Sequence, residues 1–309
     1  MPILITPDVV EPVAPVARDV VDVTFTLSQG GRDLELSGIW QVQAGVEGLD
    51  DPPLQLTTSS AAAVLGEFPG AVVASAREVF LPVLVRAPGG AAWRAAKDAL
   101  RLVANPLNGS TRIAVATQDG RTRVIDGWRD TRDATTWAVD TWGHDGWQRL
   151  GLLFRCPSPW WRDLAAVRLG PWRVSSGVGF LGPQFLPVHL GQDMVLGDEV
   201  LIDVPGQVQT WPTWVITGAV ESVTATHEDT GREWVLDCTG LTGPITVVTD
   251  PLAAAVTDGA GASQWQALAA PFDLWPLTPG SQRVTVTVVG ADATTEVSAT
   301  ADALHLAAL

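Results

Sequence analysis

Residues that commonly carry chemistry are few and scattered in this chain. The two cysteines, Cys156 and Cys238, lie far apart in the sequence. The four histidines form no His-x-x-x-His pair; they are His144, His189, His227 and His305. Zinc sites place their ligands at short, regular spacings. The sequence therefore predicts no metal site, and it predicts that both cysteines are ordinary core residues.

Common catalytic motifs are also missing. The chain contains no Gly-x-Ser-x-Gly nucleophile turn and no Gly-x-x-x-x-Gly-Lys phosphate loop. Asp50 and Asp51 are the most conspicuous pair of carboxylates, but two prolines follow them, which indicates a turn rather than a glycoside-cleaving site. We therefore expect no enzymatic activity and no cofactor.

Tryptophan and arginine remain as residue types that mark contacts between subunits or domains. Trp160 and Trp161 follow a proline, and adjacent side chains of an extended segment point to opposite sides, so one ring can enter a core while the other meets a partner. The candidate interface residues are Trp137, Trp142, Trp147, Trp160, Trp161, Arg121, Arg123, Arg129 and Arg132. The alternatives are packing within one chain and, for the arginines, a solvated strand face.

A second group of tryptophans lies after residue 200. Tryptophan is the residue that stacks on sugar rings, and jelly-roll domains often bind carbohydrate. The candidate carbohydrate contacts are Trp211, Trp214, Trp234, Trp265 and Trp275. The alternative is that these rings fill the core of a β-sandwich.

The charge of the chain restricts its partners. A net charge of −15 argues against nucleic acid, because phosphate binding requires a basic surface. Of the 19 basic residues, 15 lie between Arg77 and Arg173, whereas residues 174–309 contain two against 15 acidic residues. Such asymmetry suits head-to-tail packing of copies, although two differently charged solvated surfaces explain it equally well. No apolar run is long enough for membrane insertion, and the N-terminal segment lacks the features of a signal peptide.

The candidate residues named above must be positioned by the secondary structure, which the sequence indicates mainly as short segments in which apolar and polar residues alternate. In the first half they predict a hairpin around Gly30-Gly31, a second one across Asp119-Gly120, and further strands. The one helix is expected over 91–106, with Trp93, Ala96, Leu100 and Val103 on one face. The strands predicted in the first half are 20–31, 33–42, 77–88, 111–117, 121–128, 135–142 and 147–156.

The second half is predicted to be almost wholly β, because short strands recur at regular spacing with turn residues between them. The strands expected there are 185–190, 199–204, 210–218, 222–227, 232–238, 245–250, 273–277, 283–290 and 294–300. We therefore predict a mainly β fold with one helix in the N-terminal domain, and a C-terminal β-sandwich of jelly-roll or galectin-like type. The predicted division is 1–160 for the N-terminal domain, 161–184 for a linker and 185–309 for the sandwich.

Several segments, in this order and spacing, resemble one known family. They are Gly30-Gly31, the strand Arg77-Glu78-Val79-Phe80-Leu81-Pro82-Val83 with the helix after it, Phe154-Arg155-Cys156-Pro157-Ser158-Pro159-Trp160-Trp161, Trp211-Pro212-Thr213-Trp214-Val215-Ile216-Thr217-Gly218 and Leu274-Trp275-Pro276-Leu277-Thr278-Pro279-Gly280. The chain resembles, over nearly its whole length, the distal tail proteins and related minor tail proteins of long-tailed, siphovirus-type bacteriophages.

This resemblance implies a ring, usually of six copies, built by the N-terminal domain at the end of the tail tube, with the C-terminal sandwiches projecting outward. It implies the tube protein as one neighbour and a tail hub, fibre or tape-measure protein as another. The expected location is the virion tail tip, after synthesis in the cytoplasm of the bacterial host. A module that binds host-surface carbohydrate through the C-terminal tryptophans is the alternative, and a wall-degrading enzyme is a third possibility.

Overall fold

The computed structural model describes residues 23–60, 65–131, 139–140, 147–173, 193–195, 200–292 and 294–309. It is mainly β, as predicted, and its hydrophobic side chains form two separate core clusters. The strands of the first half are β1 (Val23–Gln29), β2 (Arg32–Glu35), β3 (Trp40–Val42), β4 (Leu54–Ser59), β5 (Phe68–Ala74), β6 (Arg77–Arg86), β7 (Thr111–Thr117), β8 (Thr122–Asp130), β9 (Val139–Asp140), β10 (Trp147–Cys156) and β11 (Trp161–Asp163).

Most of these strands form one antiparallel sheet in the order β2-β1-β7-β8-β10-β6-β3. Its longest pairing joins β6 and β10, from Arg86 opposite Trp147 to Arg77 opposite Cys156. Alternate side chains of β6, such as Val79 and Leu81, are fully buried, because successive residues of a strand point to opposite faces. The hairpins predicted around Gly30-Gly31 and Asp119-Gly120 are confirmed by the β1–β2 and β7–β8 pairings.

One α-helix, α1 (Gly90–Val103), packs against this sheet in the described part of the chain. It follows Gly89, whose φ of +80° suits glycine, and it ends before Asn105-Pro106, as predicted. Ala96, Leu100 and Val103 are buried, which confirms the predicted face. The helix is fixed to the sheet by a hydrogen bond of 3.0 Å from the indole N–H of Trp40 to the carbonyl of Ala96.

The second half forms two sheets that share one core. Its strands are β12 (Val167–Arg173), β13 (Asp193–Val195), β14 (Val200–Val204), β15 (Thr213–Thr217), β16 (Ser222–His227), β17 (Arg232–Asp237), β18 (Ile245–Val248), β19 (Ala255–Thr257), β20 (Gly280–Val289), β21 (Glu296–Ala301) and β22 (Leu304–His305). One sheet has the order β12-β21-β15-β18-β19, and the other has the order β13-β20-β16-β17, with β14 also paired to β20. This arrangement is the predicted β-sandwich.

Tryptophan fills the centre of the sandwich. The ring of Trp214 lies 5.6 Å from that of Trp172 in a stacked arrangement, and 5.5 Å and 5.7 Å from those of Trp234 and Trp275, which meet it edge to face. All four rings are at most 4% exposed. Large aromatic side chains of this kind contribute much of the burial energy of a core.

Some predicted strands differ from the observed ones. Residues 273–277 form no strand; only Leu277 makes an isolated bridge, to Thr210, because this segment fills the core without joining a ladder. Strands β4 and β5 were not predicted. The predicted strand 185–190 and most of 135–142 lie outside the described residues.

The segment predicted to be a linker, 161–184, contains two strands. β11 pairs with β8 of the first sheet, and β12 pairs with β21 of the sandwich. The last strand, β22, crosses back from the sandwich and pairs with β11. The division of the chain at 160 and 184 stays a prediction.

Both thiols are buried and free, in agreement with their predicted role as core residues. Burial raises the pKa of Cys156 and that of Cys238 to about 12. Because the thiolate is the reactive form, we expect neither side chain to react with a disulfide reagent at pH 8 in the native protein, and both to react in denaturant. Colorimetric thiol counting under the two conditions measures this; rapid labelling of the native chain would contradict it.

Candidate assembly surface and interdomain junction

Strands β4 and β5 form a hairpin that stands apart from the other sheets as a two-stranded sheet of its own. Leu54 lies opposite Ala74, and Leu56 lies opposite Val72. A bulge follows Leu56, and the hydroxyl of Thr57 donates a 2.8 Å hydrogen bond to the carbonyl of Ala71. We call the segment Leu54–Ala74 the apolar hairpin.

The apolar hairpin exposes large hydrophobic side chains. Their exposed fractions lie between 47% and 103%; these residues are Leu54, Leu56, Leu65, Phe68, Val72 and Val73. Glu67 is the only charged residue between Asp51 and Arg77. An isolated two-stranded hairpin is marginally stable in water, and a contiguous exposed apolar patch on a protein marks an interaction site. The chemistry of this surface therefore suits a protein partner that covers it.

A second unusual feature is the junction formed where the C-terminal tail returns to the first sheet. Ala308 is 1% exposed within the core of the first half, and its backbone N–H donates to the carbonyl of Leu49 at 2.6 Å. The tail also contacts the sandwich side, because Gln207 accepts from the N–H of Leu306 through its side chain at 3.0 Å and donates to Leu304 from its backbone at 2.7 Å. Residues 304–309 thus connect the two halves of the protein.

Arg77 is at the centre of this junction and is only 1% exposed. Its guanidinium donates to the carbonyls of Pro159 at 2.7 Å, Gly48 at 2.8 Å and Leu306 at 2.5 Å, and also to that of Asp50. Burial lowers the pKa of Arg77, an effect opposed by nearby groups that include both aspartates of the Asp50-Asp51 pair. One side chain therefore holds together two separate loops, 48–50 and the one that contains Pro159, and the C-terminal tail. Nothing in the sequence singles out this arginine for such a position.

Two further side chains hold the tail. Arg123, which is 8% exposed, donates from Nη1 to the carbonyl of Ala307 at 2.7 Å. Nε2 of His305 lies 3.0 Å from Oδ1 of Asp163 on β11. Burial, and next the positive charge of Arg123, lower the pKa of His305 below its ordinary value of 6.5, although Asp163 opposes them. The neutral form of His305 is therefore the one that the folded protein favours.

This shift predicts a pH dependence of stability. Between the folded pKa of His305 and 6.5 the unfolded chain binds more protons than the folded one, so the free energy of unfolding falls as the pH drops below 6.5. Urea unfolding at pH 7.5, 6.5 and 5.5 measures the slope. We expect His305→Gln, which cannot be protonated, to have a smaller decrease over this range than the wild type. Equal slopes in the two proteins would contradict the assignment.

The predicted interface residues fall into different environments. Trp161 is fully buried and belongs to the core of the first half, and Arg123 is an internal residue of the junction, so neither side chain is accessible to another subunit. For these two, the predicted role at an interface between domains stays a prediction. Trp160 is half-buried, and Arg121 forms an exposed ion pair of 3.1 Å with Asp119 in its own hairpin turn.

The interface predictions for the remaining residues, like those for Trp160 and Arg121, stay predictions. Arg129 is half-buried on β8, where burial lowers its pKa. Trp147 is half-buried and lines a cavity of about 420 Å³ with Arg86 and Arg149. Trp137, Trp142 and Arg132 lie outside the described residues.

The predicted carbohydrate contacts also fall into two groups, buried and partly exposed. Trp214, Trp234 and Trp275 are at most 1% exposed, so their rings fill the core and offer no face to a sugar, which corrects the prediction for these three. Trp211 is half-buried, and Trp265 is 37% exposed. A period-two pattern cannot distinguish a core tryptophan from a surface one, because tryptophan both fills hydrophobic cores and stacks on sugar rings.

The part of the chain that the structure describes bears on metal binding and on membrane insertion. No three His, Cys, Asp or Glu side chains of this part come together as ligands for a metal ion. None of its helices is long and apolar enough to cross a lipid bilayer.

Solved structures with the same fold exist. The Dit protein (gp 19.1) of phage SPP1, described as a paradigm of the hub adsorption apparatus in phages that infect Gram-positive bacteria, has a TM-score of 0.59 and 16% identity, over 89% of this chain and 98% of that chain. A chain of the phage P2 baseplate in its activated conformation with Ca has a TM-score of 0.51 and 10% identity, over 90% of this chain and 98% of that one. A chain of the baseplate in its activated conformation with Sr has a TM-score of 0.51 and 9% identity, over 90% of this chain and 98% of that one.

No protein-family model matches the sequence, and no curated protein matches it. The chain nevertheless has the fold of a distal tail protein along most of its length, and the resemblance predicted from the sequence is confirmed at the level of the fold.

Proposed function

We propose that this protein is a structural component of a bacteriophage tail tip that forms a closed ring of six copies. In this proposal the first half builds the ring at the end of the tail tube, and the β-sandwich projects from it. The neighbours are the tube protein on one side and a hub, fibre or tape-measure protein on the other. The protein is made in the cytoplasm of the bacterial host and resides in the virion, and its role there is mechanical rather than enzymatic.

The observation that carries this proposal is the apolar hairpin. Its two strands carry no charged side chain, are exposed to solvent and pair with no other strand in the described residues, on a chain with the fold of a distal tail protein. Burial of apolar surface contributes about 25 cal/mol per Å² removed from water, so docking against another copy is favourable. A cyclic ring uses heterologous contacts, in which one patch meets a different patch on the neighbour.

The charge distribution supports the same proposal. The basic residues concentrate between Arg77 and Arg173, and residues 174–309 are strongly acidic. Complementary charge steers two copies into one relative orientation more than it adds affinity. Head-to-tail contacts between such copies avoid placing like charges against one another.

The mass of the purified full-length protein, measured by light scattering over a range of concentrations, tests this proposal. We expect a species of six times the 32.6 kDa chain mass, seen in negative-stain images as a ring with a central opening. The measurement is repeated with the tail tube protein of the same phage added, because a partner can nucleate the ring. A chain that stays monomeric in both conditions would overturn the proposal.

A further inference from the structure

One side of the β-sandwich is closed by the segment 263–273, which lies between the edge strands β19 and β17. The N–H of Gln264 donates to Val256 of β19 at 2.8 Å, and the N–H of Ala269 donates to Val235 of β17 at 2.9 Å. Ala267 and Leu268 point inward, with 9% and 6% of their surface exposed. The segment is therefore fixed to both sheets and positions its outward side chains on a rigid support.

Two aromatic side chains of this segment face the solvent. Trp265 is 37% exposed and Phe272 is 47% exposed, and their ring centroids lie 6.0 Å apart with the planes tilted by 39°. The core beneath is already filled by the buried tryptophan cluster around Trp214. These two rings are thus not needed to complete the core, and together they form an exposed aromatic platform.

The residues next to Trp265 and Phe272 in the sequence carry polar side chains that are held in place by hydrogen bonds. Beside Trp265, the amide of Gln266 donates to Oε1 of Gln264 at 2.8 Å, and that of Gln264 donates to Oδ2 of Asp258 at 2.9 Å. Beside Phe272, Arg232 donates to both carboxylate oxygens of Asp273, at 2.7 Å and 2.5 Å. Amide, carboxylate and guanidinium groups oriented next to an apolar face are typical of sites that fix small polar ligands.

We infer that the Trp265–Phe272 platform binds a neutral hexose polysaccharide. The C–H face of a pyranose ring packs on aromatic rings, while its hydroxyl groups bond with the flanking amide and carboxylate. An anionic saccharide is disfavoured, because residues 174–309 carry 15 acidic residues and only two basic ones. The apolar hairpin differs, since five of its six exposed large hydrophobic side chains are aliphatic and it presents no pair of neighbouring aromatic rings. The inference does not depend on ring formation.

Affinity electrophoresis of the full-length protein tests this inference, because the acidic chain migrates well in native gels that contain a soluble polysaccharide. The probes are neutral glucans and galactans, with an anionic polysaccharide for comparison. We expect retardation by at least one neutral probe, and an affinity about tenfold or more weaker for Trp265→Ala and for Phe272→Ala, as for other anchoring aromatic residues. Trp128→Ala is the matched control, because Trp128 is 44% exposed on β8 of the first sheet.

Thermal unfolding of each variant shows whether the sandwich is intact, since the two side chains are largely outside the core. Three results would overturn the inference: no retardation of the wild type by any neutral probe, unchanged retardation of both platform variants, or stronger binding of the anionic probe. Loss of assembly, rather than of retardation, in the platform variants would instead assign the platform to a protein partner.

Discussion

Replacing Arg77 with methionine is expected to lower the free energy of unfolding by at least about 3 kcal/mol. The substitution leaves the carbonyls of Gly48, Asp50, Pro159 and Leu306 without their common donor. A buried polar group that loses its partner costs about 1–3 kcal/mol, and four carbonyls are affected together. Methionine retains much of the apolar stem, so the loss reports on the hydrogen bonds more than on packing. Urea unfolding followed by tryptophan fluorescence measures it.

Arg86→Met is the matched control, because Arg86 lies at the exposed end of the same strand. An exposed substitution of this kind is expected to change the stability by no more than about 0.5 kcal/mol. Arg77→Lys should be intermediate, since an ammonium group keeps the charge but lacks the planar set of donors that reaches several loops. Equal stabilities of the two methionine variants would show that Arg77 does not hold the junction together.

Placing two aspartates on the apolar hairpin is expected to abolish self-assembly. Leu56 and Val72 lie opposite each other on one face, so the double variant Leu56→Asp, Val72→Asp introduces two adjacent carboxylates into the proposed contact. An unpaired charge buried at an interface is strongly unfavourable, whereas in the isolated chain both positions are 55% or more exposed. We therefore expect light scattering to give a single-chain mass of 32.6 kDa with an unchanged far-ultraviolet circular dichroism spectrum.

Gln55→Asp provides the control, because the neighbouring residue of a strand points to the opposite face of the hairpin. It adds one charge to the same strand and is expected to leave assembly intact. Rings formed by the double variant, under conditions in which the wild type forms them, would show that this face of the hairpin is not the contact between copies.

The β-sandwich was largely predictable from the sequence, because its strands bury one face and expose the other. In β16 and β20 alternate residues are buried, and over 222–227 and 283–289 the residues that alternate with them are mostly polar. The helix was predictable for a similar reason, since Ala96, Leu100 and Val103 recur at helical spacing. These patterns are local, and one buried face is enough to produce them.

The apolar hairpin was missed because such a pattern fails when no face is buried within the chain. Its residues are exposed on both faces, so apolar and polar positions do not alternate with burial. The one available signal was the near absence of charge between Asp51 and Arg77. The predicted strand 273–277 was wrong for the opposite reason: Trp275 and Leu277 are buried without belonging to a ladder.

The sequence by itself determined the fold class, the unequal distribution of charge between the two halves and the positions of most strands, since these follow from composition and local periodicity. Only the tertiary structure decided which tryptophans are core and which are surface, and it alone brought the C-terminal tail to Arg77 and placed His305 of that tail beside Asp163. Residue identity does not encode these outcomes, because each depends on contacts between segments such as β6 and 304–309 that are distant along the chain. Long-range packing assigns the same residue type, tryptophan, to a buried cluster at Trp214 and to an exposed platform at Trp265.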